Sequence, residues 1–239
     1  KLAMEKIREL IKETPVEFVK AAAVKAEAFL ALPMEAMVRF GQWDNVLAEP
    51  DNYPEFAPFS RAFHHAARAI AFAAKKQPEE ARKEQAKFNE MVPAIPKETE
   101  VGNNSATDIV ALIQKMLEAE IQVAEGKRDE GIAGLQEALK MEDALKYDEP
   151  PAWMIPIRHS LGANLMTAGR FAEAEEVYRE DLRRLPGNGW SLFGLAEALK
   201  AQKKPEAAKV QAQFVKAWAK ADIKINSSCL CRPFTTAAR

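Results

Sequence analysis

The sequence predicts an all-α fold, an α-solenoid of antiparallel helix hairpins, and three observations carry that prediction. Apolar residues recur at helical spacing along almost the whole chain. Glycine, 10 of 239 residues, is too sparse for a sheet-rich fold with many tight turns. One type of short turn also returns between helical stretches: GQWDNV from Gly41, KQPEEA from Lys76, GKRDEG from Gly126, GRFAEA from Gly169 and KKPEAA from Lys203. Of the four steps between these turns, the first and last are regular and the middle two are enlarged. A period of this kind is the mark of stacked repeats, each burying its apolar face against its neighbours.

The elements follow in chain order. Helices are expected over 2–13 and 16–39; the second contains the most apolar stretch, Val16 to Leu32, interrupted by Glu17, Lys20, Lys25 and Glu27 and so unsuited to a membrane span. The Gly41 turn leads into 43–48, and a longer helix runs over 57–75. Helix 78–92 carries PEEARKEQAK, whose mixed signs at i,i+4 spacing read as a solvated face. Segment 93–107 holds two prolines and a Gly-Asn-Asn run and ends in Ser105 or Thr107 as N-cap, making it the one flexible boundary expected. Helices at 104–125 and 128–146 precede the YDEPP insertion, and 152–168, 170–185, 189–201 and 205–221 complete the set. The organisation is then 1–92 as helical hairpins, 93–107 as a loop, 108–221 as further hairpins and 222–239 as a C-terminal tail, in one continuous solenoid.

The clearest unit is Leu161 to Pro186, LGANLMTAGRFAEAEEVYREDLRRLP. Setting Gly162 at position 8 of the 34-residue tetratricopeptide repeat (TPR) puts Leu161 at position 7, Leu165 at 11, Ala174 at 20, Tyr178 at 24 and Pro186 at 32. Small residues at 8 and 20 let two helices approach, the large residue at 24 fills the space, and the proline stops the second helix. The groove positions of this alignment are Ile113, Met116, Glu120 and Val123; Pro156, His159, Ala163 and Met166; and Trp190, Phe193, Glu197 and Lys200. Met116, Glu120, His159, Met166, Trp190 and Phe193 form the predicted contact strip for a protein or peptide partner. Either such a partner or the chain's own residues 222–239 would cover it, and a homo-oligomer is the remaining arrangement.

RFGQWDNVLAEP (Arg39 to Pro50), YDEPPAW (Tyr147 to Trp153) and the run from Arg158 to Leu199 together resemble a mostly bacterial, functionally uncharacterised family of TPR proteins. The resemblance implies that this chain corresponds to the family's C-terminal half, since members carry further N-terminal repeats with histidine-rich motifs. Those motifs are absent here, so any chemistry they support does not transfer. Lys1 in place of Met points likewise to a processed chain or a fragment.

Chemistry is concentrated in Cys229-Leu230-Cys231. Two nearby thiolates, favoured by Arg232, chelate a soft metal such as Zn or Cu or form an exchangeable disulfide. The histidines available to complete a metal site are His159, His65 and His64, with His159 and His65 the named candidates. Three ligands with an open position would resemble a catalytic metal centre, and free or packed thiols are the simpler reading. Asp148 and Glu149 form an adjacent carboxylate pair before Pro150-Pro151, read as hydrogen-bonding groups in preference to an acid/base pair. No phosphate loop, HExxH or GxSxG motif occurs, so a non-enzymatic binding protein is expected. With 34 basic against 35 acidic residues there is no electrostatic basis for nucleic-acid binding. A soluble protein of cytoplasm or periplasm is expected.

Overall fold

In the computed structural model the described residues are 1–149, 151–153 and 155–231; Arg232 and the tail beyond it lie outside them. The chain divides into two compact units, Lys1–Ile155 and the part beginning at Pro156. The expected boundary at 93–107 lies inside the first. Both units are helical, and no described helix is long and apolar enough to cross a membrane.

The first unit contains α1 (Leu2–Glu13), α2 (Val16–Ala21), α3 (Ala23–Ala26), α4 (Leu32–Arg39), α5 (Trp43–Ala48), α6 (Pro58–Ala74), α7 (Pro78–Met91), the short strands β1 (Glu100–Val101) and β2 (Asn104–Ser105), α8 (Ala106–Ala124) and α9 (Arg128–Asp143). The second contains α10 (Ile157–Thr167), α11 (Phe171–Arg184), α12 (Gly189–Ala201) and α13 (Ala207–Ala217). Helices α6 and α7, α8 and α9, α10 and α11, and α12 and α13 each pack as consecutive pairs, and α8 and α12 lie against the pair before them.

The five recurrent turns share one geometry. Gly41, Lys76, Gly126, Gly169 and Lys203 all have left-handed backbone, with φ between 57° and 88°. In each, the amide of the next residue donates back to the carbonyl five positions earlier: Gln42 to Met37, Gln77 to Phe72, Lys127 to Gln122, Arg170 to Leu165 and Lys204 to Leu199, all at 2.9 Å. This is the Schellman termination, which satisfies carbonyls that a helix end would otherwise leave open.

The single helix expected over 16–39 is broken. It bends at Ala22 and passes through a 3₁₀ segment, Glu27–Ala31, before α4. Pro33 has no N–H for the carbonyl of Phe29 and its ring would clash there, so α4 restarts with Pro33 in its first turn. Glu27 gains a distant role instead: its carboxylate accepts from the amides of Phe59 (2.9 Å) and Ser60 (3.1 Å), capping α6, while Ser60 Oγ donates to its carbonyl at 2.7 Å. Burial raises the Glu27 carboxyl above the usual carboxylate range, and these bonds only partly offset it.

Segment 93–107 becomes a ribbon, with Glu100 paired to Ser105 and Val101 to Asn104 around Gly102. Ser105 is the N-cap of α8, accepting from the amide of Asp108 at 3.1 Å. The ribbon clasps the start of the YDEPP insertion. Asn104 exchanges bonds with Lys146, and Asn103 donates its amide to Asp148 Oδ2 at 2.8 Å and its side chain to the Tyr147 carbonyl at 3.1 Å. Helix α9 ends at Asp143 and α10 begins only at Ile157, directly after Pro156, whose backbone (ψ 128°) is non-helical.

The second unit is organised around Tyr178, whose ring is fully buried between Gly162 of α10 and Gly194 of α12. An aromatic cluster of Trp190, Phe193, Phe214 and Trp218 joins α12 to α13, with centroid separations of 5.3 to 5.7 Å.

Candidate functional site

The predicted contact strip divides into closed and open parts. In α8, Ile113, Met116 and Glu120 are buried. In α10, His159 is fully buried, its Nε2 lying 3.2 Å from Asp181 Oδ2, an oxygen that also accepts from Ser191 Oγ at 2.6 Å. Burial pushes the Asp181 carboxyl up, but His159 and Ser191 outweigh it and hold the group below its ordinary value. Met166 is half-buried and Trp190 buried.

The chain's own tail covers His159. Ser228 Oγ donates to the His159 carbonyl at 2.8 Å and, its one proton being used, accepts from the Tyr178 hydroxyl at 2.7 Å. Trp218 anchors the approach by donating Nε1–H to the Ile223 carbonyl at 2.8 Å. Residues Ser227, Ser228, Cys229 and Cys231 are all buried.

Cys229 and Cys231 are joined to each other as a disulfide, with Ser160 Oγ 4.0 Å from Cys231 Sγ. In this state neither sulfur is a thiolate ligand. His65 belongs to the first unit, where its Nδ1 meets Glu84 Oε2 at 2.6 Å; Arg68 and Lys87 share the same carboxylate. Burial raises Glu84, and His65 and Arg68 bring it below the ordinary range. His64 is buried edge-on to Tyr53 and His65, has no hydrogen bond on Nδ1, and is shifted down by burial. No three His, Cys, Asp or Glu side chains converge as metal ligands among the described residues.

The open part is on α12. Phe193, Glu197 and Lys200, groove positions of the last repeat in the alignment, line a depression of about 420 Å³ with Ala196, Ala207, Ala208 and Gln211. Glu197 and Lys200 lie 3.8 Å apart on its edge. An apolar floor flanked by one charge of each sign suits a peptide with a single apolar anchor.

Sequence reasoning missed Glu35. It sits in α4 among Met34, Ala36 and Met37, is 6% exposed, and lines a pocket of about 130 Å³. Burial alone pushes its carboxyl up to about 8. Only the apolar company in PMEAMV signals this, because helical periodicity leaves a place for one charged residue per turn. Comparisons with protein-family models, curated proteins and solved structures give no match.

Proposed function

We propose that the chain is a TPR-type interaction scaffold, akin to the bacterial family its sequence resembles, that takes a partner peptide or helix on the α12–α13 shelf. The observation that carries this reading is the pattern of closure: the shelf exposes three groove positions in one depression, while Met116, Glu120, His159 and Trp190 are buried. Phe193 supplies the apolar contact, and Glu197 and Lys200 select flanking charges. The shared Schellman turns support the repeat reading, since they set successive helices back against one another at five matching places.

A photo-crosslinking residue placed at Ala208 in the full chain tests it. One dominant adduct that Phe193→Ala removes is expected. Equal labelling from the exposed control position Lys83, or an adduct indifferent to Phe193, refutes it; an adduct with a second copy of the chain would make the partner a homo-oligomer.

A second reading, redox or metal chemistry at Cys229 and Cys231, is favoured by their pairing across one intervening residue. Once reduced, the pair offers two soft ligands for Zn or Cu, next to Ser228, which bonds the His159 carbonyl in the same unit. Titrating zinc or copper(I) into reduced protein, with Cys229→Ser as control, separates this from a purely structural bond.

A further inference from the structure

Glu35 is the one buried carboxyl of the first unit with neither a hydrogen bond nor an ion pair among the described residues. Glu27 has the α6 amides, and Glu84 has His65, Arg68 and Lys87. A carboxyl that no side chain or backbone group of the fold partners, 6% exposed and lining a pocket, calls for an explanation, and that pocket supplies one. Its walls are apolar, formed by Ala28, Phe29, Leu32, Val101 and Pro151, and Phe29 stands half exposed at the rim. The volume, about 130 Å³, is close to that of an engineered apolar cavity of about 150 Å³ that accepts benzene.

The rim is acidic and built. Asp148 is fixed by the Asn103 amide at 2.8 Å and by the Asn103 side chain at 3.3 Å. It can lie there because Gly102 has no Cβ, which would overlap its carboxylate. Glu149 lies beside it, and the single opposing charge, Lys25, reaches out to Glu100 at 3.6 Å. Three acids against one lysine repel an anion and attract a cation.

We propose that this pocket binds a small organic ammonium ion with an apolar body of benzene size, the ring between Phe29, Leu32 and Val101 and the ammonium group between Glu35 and Asp148. Empty, the site holds Glu35 protonated because nothing stabilises the anion. An incoming ammonium ion supplies the missing countercharge, so its binding releases the Glu35 proton to solvent. The other charged and titratable groups around Glu35 are Lys25, Asp148, Glu149 and Tyr53; beyond Tyr53 lie Arg8 of α1, Glu49 and Asp51 after α5, and His64 of α6. Tyr53 is pushed up and His64 down by burial, so neither changes charge between pH 7 and 8.

The probe is benzylammonium, titrated calorimetrically into the full chain in buffers of different ionisation heat. Saturable 1:1 binding is expected, with proton release and a dissociation constant that tightens about fivefold from pH 7 to pH 8. Glu35→Gln should weaken binding at least tenfold and flatten the pH profile while keeping the far-ultraviolet spectrum. Ala152→Leu, which fills the cavity from its rim and leaves Glu35 in place, should abolish binding. Absence of saturable binding overturns the proposal, as does equal affinity for neutral benzyl alcohol, or a Glu35→Gln variant with unchanged affinity and pH dependence.

Discussion

Replacing Gly162 by alanine tests the packing of the second unit, because two physical effects act there with opposite signs. Alanine favours an α-helix over glycine by about 1 kcal/mol. The new Cβ, however, would fall inside van der Waals contact of the Tyr178 ring and 2.7 Å from its hydroxyl. The ring cannot slide away toward α12, since Gly194 meets its opposite face equally closely. Nor can it move along its axis without breaking the bond to Ser228, whose own bond to the His159 carbonyl depends on the same position. Overpacking costs about 1–3 kcal/mol, and a ring held on both faces and at its tip belongs at the upper end. We expect Gly162→Ala to be destabilising by about 1–2 kcal/mol net, read as a urea midpoint lowered by roughly 0.5–1 M at constant slope. In a Tyr178→Leu background the obstruction is gone, and the same substitution should stabilise by about the helix-propensity difference, giving a large coupling in the double-mutant cycle. A higher midpoint for Gly162→Ala in the native background, or an equal loss in both, would refute the argument.

Other substitutions follow from single contacts. Lys76 and Lys203 occupy left-handed positions that glycine takes in the other three turns, so Lys76→Gly and Lys203→Gly should each raise thermal stability by about 0.5–1 kcal/mol after glycine's entropy is counted; a fall in melting temperature contradicts this. Glu27→Ala leaves two amides at the start of α6 without their acceptor and should cost about 2–4 kcal/mol in a denaturant titration, with Glu27→Gln intermediate. Asp181 has a depressed folded pKa, so its contribution is complete above the unfolded value near 3.9 and disappears as pH falls below that toward the folded value. Asp181→Asn should therefore flatten the stability profile below about pH 4; an unchanged acid limb would show that the His159 and Ser191 contacts do not stabilise the carboxylate.

Local signals were legible where a feature depends on neighbours in sequence. The five turns were visible because glycine or a Lys-x-Pro triplet follows each apolar run, and Ser105 was one of two cap candidates, with Thr107, from its position before α8. Longer-range effects were not. The break in 16–39 answers partly to Pro33, which periodicity counted as one more apolar residue, and partly to a cap that Glu27 makes 32 residues away. The ribbon at 100–105 is too short for an alternating pattern, and Asn103 earns its place through bonds to Tyr147 and Asp148. The alignment assigned Phe193, Glu197 and Lys200 to groove positions, and they line one depression. It could not show that Ser228 would cover His159, because tail residues carry no periodicity to match against a helix.

The buried acids separate structural roles from a functional candidate more sharply than any motif does. Asp181 has His159 and Ser191; Glu175 has Arg179, Gln202 and Lys204. Both are held below the ordinary range despite burial. Glu35 has no such compensation, and the sign of its effect is opposite. Burial lifts it from the ordinary carboxylate value to about 8, so the fold is most stable below the unfolded value and loses stability as pH rises from there to 8, on the order of 5 kcal/mol in all. Methionine or leucine would fit between Met34 and Met37 without that loss. A chain that satisfies its other buried carboxylates and leaves this one facing an apolar pocket with an acidic rim has the arrangement of a site awaiting a cation, because the binding of one removes the penalty that no residue of the fold removes.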